Sequence, residues 1–357
     1  MKKISFFCGD INRTGGTERV TTLIANALVK QGYDVSILST ANGLNPFFET
    51  AKEIKIYSLH MENHSSNFSN IKIIKNLHHY LVSNAIDYLI DVDIVLSFYS
   101  IPASFKTKTK IISWEHFNYY ISVGGIIQRC KRKIGRMLAR KFAWAIVTLT
   151  KKDKINYERQ LSSAQIITIY NPAPVINYSN PNYGCNNVLA IGRLTYQKGF
   201  DTLLTVWQIV CKTNNNWMLY IVGSGQDEQA LKQQTQNLGI SNRVIFVANT
   251  KNIEQYYLNA AIYIMSSRFE GLPMVLLEAK KYGLPIISFD CETGPSDIVQ
   301  HEIDGILVEN NNTYKLADSL LQLINNAEKR ALFSKNALQD NRFELSTIIE
   351  QWQKILI

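Results

Sequence analysis

The chain has 357 residues, 46% of them hydrophobic, which is more than one ordinary core takes up, so two domains of about 150 to 200 residues each are expected. Five cysteines, odd in number and never in a CxxC pair, argue against a disulfide framework and a cysteine zinc site and fit a reducing cytoplasm. The net charge of +9 belongs to the first half: residues 1–172 hold 23 Lys and Arg against 12 Asp and Glu, the remainder 15 against 17. Nucleic acid, an anionic membrane and a pyrophosphate-bearing substrate all suit that imbalance. No apolar run approaches the roughly 18 residues that a membrane span needs, so a soluble or peripheral protein is expected.

In chain order, Ile4–Cys8 reads as an opening strand, followed by Thr14-Gly15-Gly16 as a tight turn. Val20, Leu23, Ile24, Ala27 and Leu28 then keep helical spacing, with Thr17 as the cap candidate and Gly32 as the stop. Val35–Leu38, Ile94–Phe98, Lys110–Trp114, Ile146–Leu149 and Ile166–Tyr170 read as further strands separated by helices. Such alternation implies a parallel sheet wrapped by helices. Asn171-Pro172-Ala173-Pro174 breaks the pattern, and the polar stretch Tyr178–Asn187 continues the linker. A second alternation follows in Val188–Ile191, Met218–Val222, Val244–Val247, Ile262–Met265 and Pro285–Phe289. The expected class is therefore α/β, two Rossmann-like doubly wound domains facing across a cleft. Their bounds are residues 1–172 and 173–340, with 341–357 as an amphipathic helix packing back on the first domain.

The chemistry concentrates after Ile262–Met265. A loop, Ser266–Leu272, leads into a helix with Pro273 at its first position, where the missing N–H has no partner to lose. A helix starting just beyond a parallel strand aims its free amides at the crevice where such sheets bind ligands, which suits a phosphate. Glu278 lies about 7.5 Å along that helix and leans back towards its start, while Glu270 stands in the loop before it. Two carboxylates so placed suit a molecule with sugars on both sides of a pyrophosphate, although a solvated helix charge is an equally simple reading of Glu278.

The segment Phe269-Glu270-Gly271-Leu272-Pro273, with seven residues between Glu270 and Glu278, resembles the signature of the retaining family 4 glycosyltransferases of the GT-B fold. The resemblance implies that Glu270 contacts the donor sugar and Glu278 the ribose hydroxyls, with the backbone at Gly271 and Leu272 close to sugar and phosphates. Gly192-Arg193-Leu194-Thr195-Tyr196-Gln197-Lys198-Gly199 resembles the pyrophosphate segment, so Arg193 and Lys198 are expected to neutralise the departing diphosphate without a metal. Thr14-Gly15-Gly16-Thr17 resembles the glycine loop, with Gly15 and Gly16 near donor phosphates or acceptor. Ser113-Trp114-Glu115-His116 occupies the place of a histidine that reaches the donor sugar. Thr293-Gly294-Pro295 and Asp304-Gly305-Ile306 match fold markers, with Pro295 where many members carry glycine. The implied donor is a nucleotide sugar, with uridine diphosphate as the leaving group. Transfer is implied to retain configuration, the acceptor attacking on the face the diphosphate vacates. No cofactor or metal is expected.

Three further signals remain. Asp91-Val92-Asp93 has the form of a manganese-binding DxD, but its place ahead of Ile94–Phe98 fits a strand entrance better. Gly223-Ser224-Gly225 lacks the third glycine of a dinucleotide fingerprint and reads as a tight turn. Between His116 and Thr150 there is no acidic residue, while Arg129, Lys131, Arg132, Lys133, Arg136, Arg140 and Lys141 alternate with Ile126, Ile127, Ile134, Met137, Leu138 and Phe142. This basic amphipathic segment is expected to dock an anionic membrane or a glycolipid or polyprenyl-diphosphate-linked acceptor, as comparable helices do in related enzymes, although an ordinary solvated basic face has the same pattern. The expected location is cytoplasmic and peripheral on the inner face of the cell membrane. A nucleotide-sugar epimerase or hydrolase on the same fold is the rival enzyme. A nucleic-acid-binding protein is the other rival, and no nucleic-acid partner is expected, because the basic run is interleaved with aliphatics rather than with a base-stacking platform.

Overall fold

The computed structural model describes residues 1–40, 43–59, 67–120, 125–174, 184–214, 216–250 and 252–357. Residues 178–183 of the expected linker fall outside them. The chain forms two compact units, one of Met1–Pro172 with Glu344–Ile357, the other of Ala173–Phe343.

In the first unit the strands are β1 Lys3–Cys8, β2 Asp34–Ser39, β3 Lys55–Ser58, β4 Tyr88–Val92, β5 Lys110–Glu115, β6 Ala145–Thr148 and β7 Gln165–Thr168. All pair in parallel in the order β3-β2-β1-β4-β5-β6-β7. Helices α1 Gly16–Lys30, α2 Asn67–Ser83, α3 Ser97–Ser104, α4 Ile126–Phe142 and α5 Lys151–Glu158 connect them. The inner strands, unlike the edge strands β3 and β7, are buried and largely apolar because a parallel sheet is covered on both faces.

Two expectations are corrected here. The segment at 94–98 is not a strand: the strand is Tyr88–Val92, and Asp93, at φ +123°, accepts from Val95 N and starts a short helical turn over Ile94–Leu96 that runs into α3. A short apolar run carries no period that separates strand from buried helix, and the cap decides it. Helix α1 starts at Gly16 with Gly15 as its cap, two residues ahead of Thr17.

The second unit contains β8 Asn187–Ile191, β9 Met218–Val222, β10 Val244–Val247, β11 Ile262–Met265, β12 Ile286–Asp290 and β13 Gly305–Glu309, again all parallel, in the order β10-β9-β8-β11-β12-β13. Its helices are α6 Phe200–Cys211, α7 Glu228–Asn237, α8 Glu254–Leu258, α9 Met274–Lys281, α10 Pro295–Ile298, α11 Thr313–Ile324 and α12 Ala327–Gln339. Leu203, Trp207, Ile264, Ile287 and Leu320 anchor its core. The last helix, α13 Leu345–Ile355, belongs to the first unit: it buries Ile348, Ile349, Trp352 and Ile355, and Trp352 meets Trp114 edge-on at 5.1 Å.

Candidate active site

The sheet of the second unit reverses its winding between β8 and β11, and loops leaving the carboxyl ends of strands at such a point splay apart to make a ligand crevice. The loop after β8 carries Arg193 and Lys198, and the loop after β11 carries Glu270. Main-chain and side-chain hydrogen bonds stitch the two together. Arg268 N donates to Gln197 O at 2.8 Å, Gln197 Nε2 to Phe269 O at 3.1 Å, and Ser266 Oγ to Lys198 O at 3.0 Å. Gly199 makes this closeness feasible, because it turns into α6 at φ +64° and a Cβ there would run into Ser266 O.

The result is a direct ion pair, Lys198 Nζ to Glu270 Oε1 at 2.6 Å, with the side chains only 15% and 7% exposed. Thr293 Oγ1 donates to Glu270 O at 2.6 Å, and Gly294, at φ +99°, lies where a Cβ would collide with Gly271 O. The Thr293-Gly294 turn therefore buttresses the Glu270 loop as well as marking the fold. Leu272 is buried, Gly271 half-buried and Arg193 exposed. Pro273 is the cap of α9, with ψ 100°, and not its first helical residue, so the helix starts at Met274. Glu278, in the second turn of α9, is half-buried and its Oε2 accepts from Tyr257 Oη at 2.7 Å. Cations on one loop and two carboxylates, one beside them and one on the helix, are what a diphosphate flanked by hydroxyl-rich groups requires.

Two supports of this site had no local signal in the sequence, since their partners lie far along the chain. Arg268 forks onto Asp201 at 2.9 and 2.6 Å and donates to Tyr196 O at 2.7 Å, pinning the two loops. Lys280, buried on α9, pairs with Asp304 at 2.7 Å and Asp340 at 2.6 Å and donates to Ile298 O. The Asp340 carboxyl is held down at about 2 against the pull of its own burial, by Arg342 and Lys280.

In the first unit, His116 follows β5 with its ring 4.2 Å from that of Trp114. Burial lowers its pKa to about 3, so the ring is neutral, and its Nε2 is buried with no hydrogen-bond partner among the described residues. Gly15 and Gly16 begin α1, and a side chain at Gly16 would meet open space.

The basic segment is α4, as a single helix, but its arginines divide by face. Arg132 is 3% exposed and forks onto Asp93 at 2.7 Å and Glu115 at 2.9 Å, while Arg136 holds Glu115 Oε2 at 3.0 Å and donates to Tyr119 O at 2.5 Å. Tyr157 Oη completes the set with Glu115 at 2.8 Å. Arg132 is thus corrected from an exposed docking residue to a buried one, while half-buried Arg136 also lines the groove beside α4; both are counter-charges of carboxylates at the ends of β4 and β5. Lys131 is half-buried and bonds to Tyr99 at 2.7 Å and Asn70 at 3.1 Å. Arg129 and Lys133 remain exposed beside Ile126, Ile127, Ile134 and Met137, and with half-buried Arg140 they border an open groove of about 470 Å³. The DxD aspartates face inward. Asp91 accepts from Ser97 at 2.7 Å and Ser100 at 2.6 Å, and burial raises its pKa to about 7, while Asp93 holds Arg132.

Two parallel, doubly wound units with paired loops of this kind at a switch point define a sugar-nucleotide transferase fold of the GT-B type. Residues 14–175 match the profile of Glycosyltransferase Family 4, and residues 178–340 that of Glycosyl transferases group 1. An uncharacterized glycosyltransferase of Haemophilus influenzae is 37% identical over the whole of both chains. A Campylobacter jejuni N-acetyl-D-galactosaminyltransferase acting on an undecaprenol-linked saccharide is 30% identical over all of this chain and 98% of its own. Among solved structures, the lipopolysaccharide outer core galactosyltransferase WaaB superposes with a TM-score of 0.80 at 23% identity over 99% of each chain, and Anabaena HepE with UDP at 0.80 and 19% over 100% and 99%. The chain belongs to the family 4 glycosyltransferases.

Proposed function

We propose that this enzyme moves a glycosyl group, with retention of configuration, from a uridine diphosphate sugar to a lipid-linked saccharide during assembly of a bacterial surface glycan. The observation that carries the donor half is the Lys198–Glu270 pair at the β8/β11 switch point, with Glu278 on the helix beyond. Lys198 and Arg193 receive the diphosphate, Glu270 orients sugar hydroxyls, Glu278 holds the ribose, and the amides at Gly271 and Leu272 approach the sugar and phosphates. Gly15 and Gly16 leave backbone open to phosphate or acceptor. His116, kept neutral, serves as a hydrogen-bonding partner for a sugar hydroxyl and not as a proton source. The acceptor hydroxyl attacks on the face the diphosphate leaves, and the departing phosphate takes its proton, so no side-chain nucleophile and no metal is needed. The relatives named for work on an undecaprenol-linked saccharide and on lipopolysaccharide support the acceptor class.

The exposed face of α4, Ile126, Ile127, Ile134 and Met137 beside Arg129 and Lys133, supports the reading that the enzyme docks on an anionic bilayer at the cytoplasmic face of the membrane. The test of the reading is a panel of nucleotide sugars, with and without EDTA, followed by thermal shift and by NMR of slow donor hydrolysis. Stabilisation by one donor that survives EDTA, weakens in Lys198→Ala and releases an α-configured sugar supports it. No response to any nucleotide sugar overturns it, and an epimer formed without acceptor points to the rival epimerase chemistry.

A further inference from the structure

Glu278 stands on an eight-residue helix with its carboxylate only half-buried, and a glutamate so placed has several rotamers open to it. A hydrogen bond from a buried tyrosine favours one of them. Tyr257, 1% exposed at the end of α8, donates from Oη to Glu278 Oε2 at 2.7 Å. Its ring lies flat on Tyr282, with centroids 4.8 Å apart and planes 6° apart. Tyr282 follows Glu278 by four residues, so the two share one helix face, and the phenol that stacks on one reaches back to the other. A second ring, Tyr263 of β11, stacks on Tyr257 at 6.1 Å and 20°, and its hydroxyl lies 3.4 Å from both Ile191 N and O, where β8 gives way to the Arg193 loop. The three tyrosines therefore tie α8, β11 and α9 into one block. Burial and the Glu278 charge both push the Tyr257 phenol well above the usual tyrosine range, so it stays a donor at every working pH.

We infer that Tyr257 is a positioning residue for donor binding: its hydroxyl fixes Glu278 Oε2 so that the carboxylate accepts from the ribose hydroxyls of the nucleotide. The inference rests on the ribose role of Glu278 proposed above. It makes ribose recognition depend on a residue that touches no part of the donor.

The test is calorimetric titration of the full chain with uridine diphosphate and with 2′,3′-dideoxyuridine diphosphate, in wild type, Tyr257→Phe, Glu278→Gln and the double variant. Wild type is expected to prefer the ribonucleotide, Glu278→Gln to lose that preference, and Tyr257→Phe to lose about tenfold in affinity for the ribonucleotide with little change for the dideoxy analogue. The double variant is expected to be no weaker than Glu278→Gln alone, because both remove the same interaction. In turnover assays Tyr257→Phe raises the donor KM and leaves kcat within about twofold. Loss of preference in Glu278→Gln but not in Tyr257→Phe overturns the positioning role and leaves the ribose reading intact. Preference retained in Glu278→Gln overturns both. Should Tyr257→Phe fail to fold, Glu278→Asp draws the carboxylate about one methylene away from the phenol, and its retaining the preference overturns the inference equally.

Discussion

His116 illustrates how a single side chain couples the site to pH. In an unfolded chain its pKa is near 6.5, and in the folded protein about 3, so between these values the unfolded state binds a proton that the folded state refuses. Stability from this residue is intact above pH 6.5 and falls by about 1.4 kcal/mol per unit below it. Asp91 has the opposite sign: its folded pKa of about 7 lies above the unfolded 3.8, so its contribution is present at low pH and is lost as pH rises through 7. Comparing His116→Gln with wild type cancels the aspartate. The variant is expected to gain about 2 kcal/mol relative to wild type at pH 5 compared with pH 7.5, read by urea unfolding. The Lys198–Glu270 pair makes a second case. Lys198→Met leaves a buried carboxylate without its cation and is expected to destabilise the protein by about 3 kcal/mol, part of which Glu270→Gln restores in the double variant.

At the scale of elements, α4 carries the clearest lesson. In the sequence Arg129, Arg132 and Arg136 are indistinguishable, because their surroundings alternate in the same way. What separates them is Glu115 and Asp93, placed next to the helix by β4 and β5 and thus invisible to any local pattern. Arg132→Ala is therefore expected to destabilise the first unit by about 3 kcal/mol in denaturant melts, since it takes the cation from Asp93 and leaves Glu115 to Arg136. Charge reversal at Arg129 and Lys133 is expected to leave the melting temperature unchanged and to abolish sedimentation with anionic liposomes at low salt. The Glu270–Glu278 segment was legible for the contrary reason: both glutamates, the intervening turn and the helix start are contiguous. Tyr257 and Arg268 were not, since a buried tyrosine looks like core filling and Asp201 lies 67 residues from Arg268.

For the whole molecule, strand and helix alternation led to two doubly wound units because parallel strands buried on both faces read as apolar runs. The runs that failed were short: Lys55–Ser58 at the sheet edge is partly exposed and carries little apolar signal, and Ile94–Leu96 is apolar but capped into a turn. The second unit is inserted between two parts of the first, as Ala173 N donates to Phe343 O at 2.8 Å where the chain leaves and returns. Removing residues 344–357 is expected to strip amide-exchange protection from β1 and β5 while β8 and β11 keep theirs, because only the first unit loses packing.

That insertion also dictates an order of events on the ribosome. All seven strands of the first sheet emerge before the second unit begins, yet Trp352, whose ring packs on Trp114, is made only after the whole of that unit. At ordinary elongation rates the nascent sheet waits roughly ten to forty seconds with an indole-lined patch bare. The unit whose strands are made first is therefore completed after the second one.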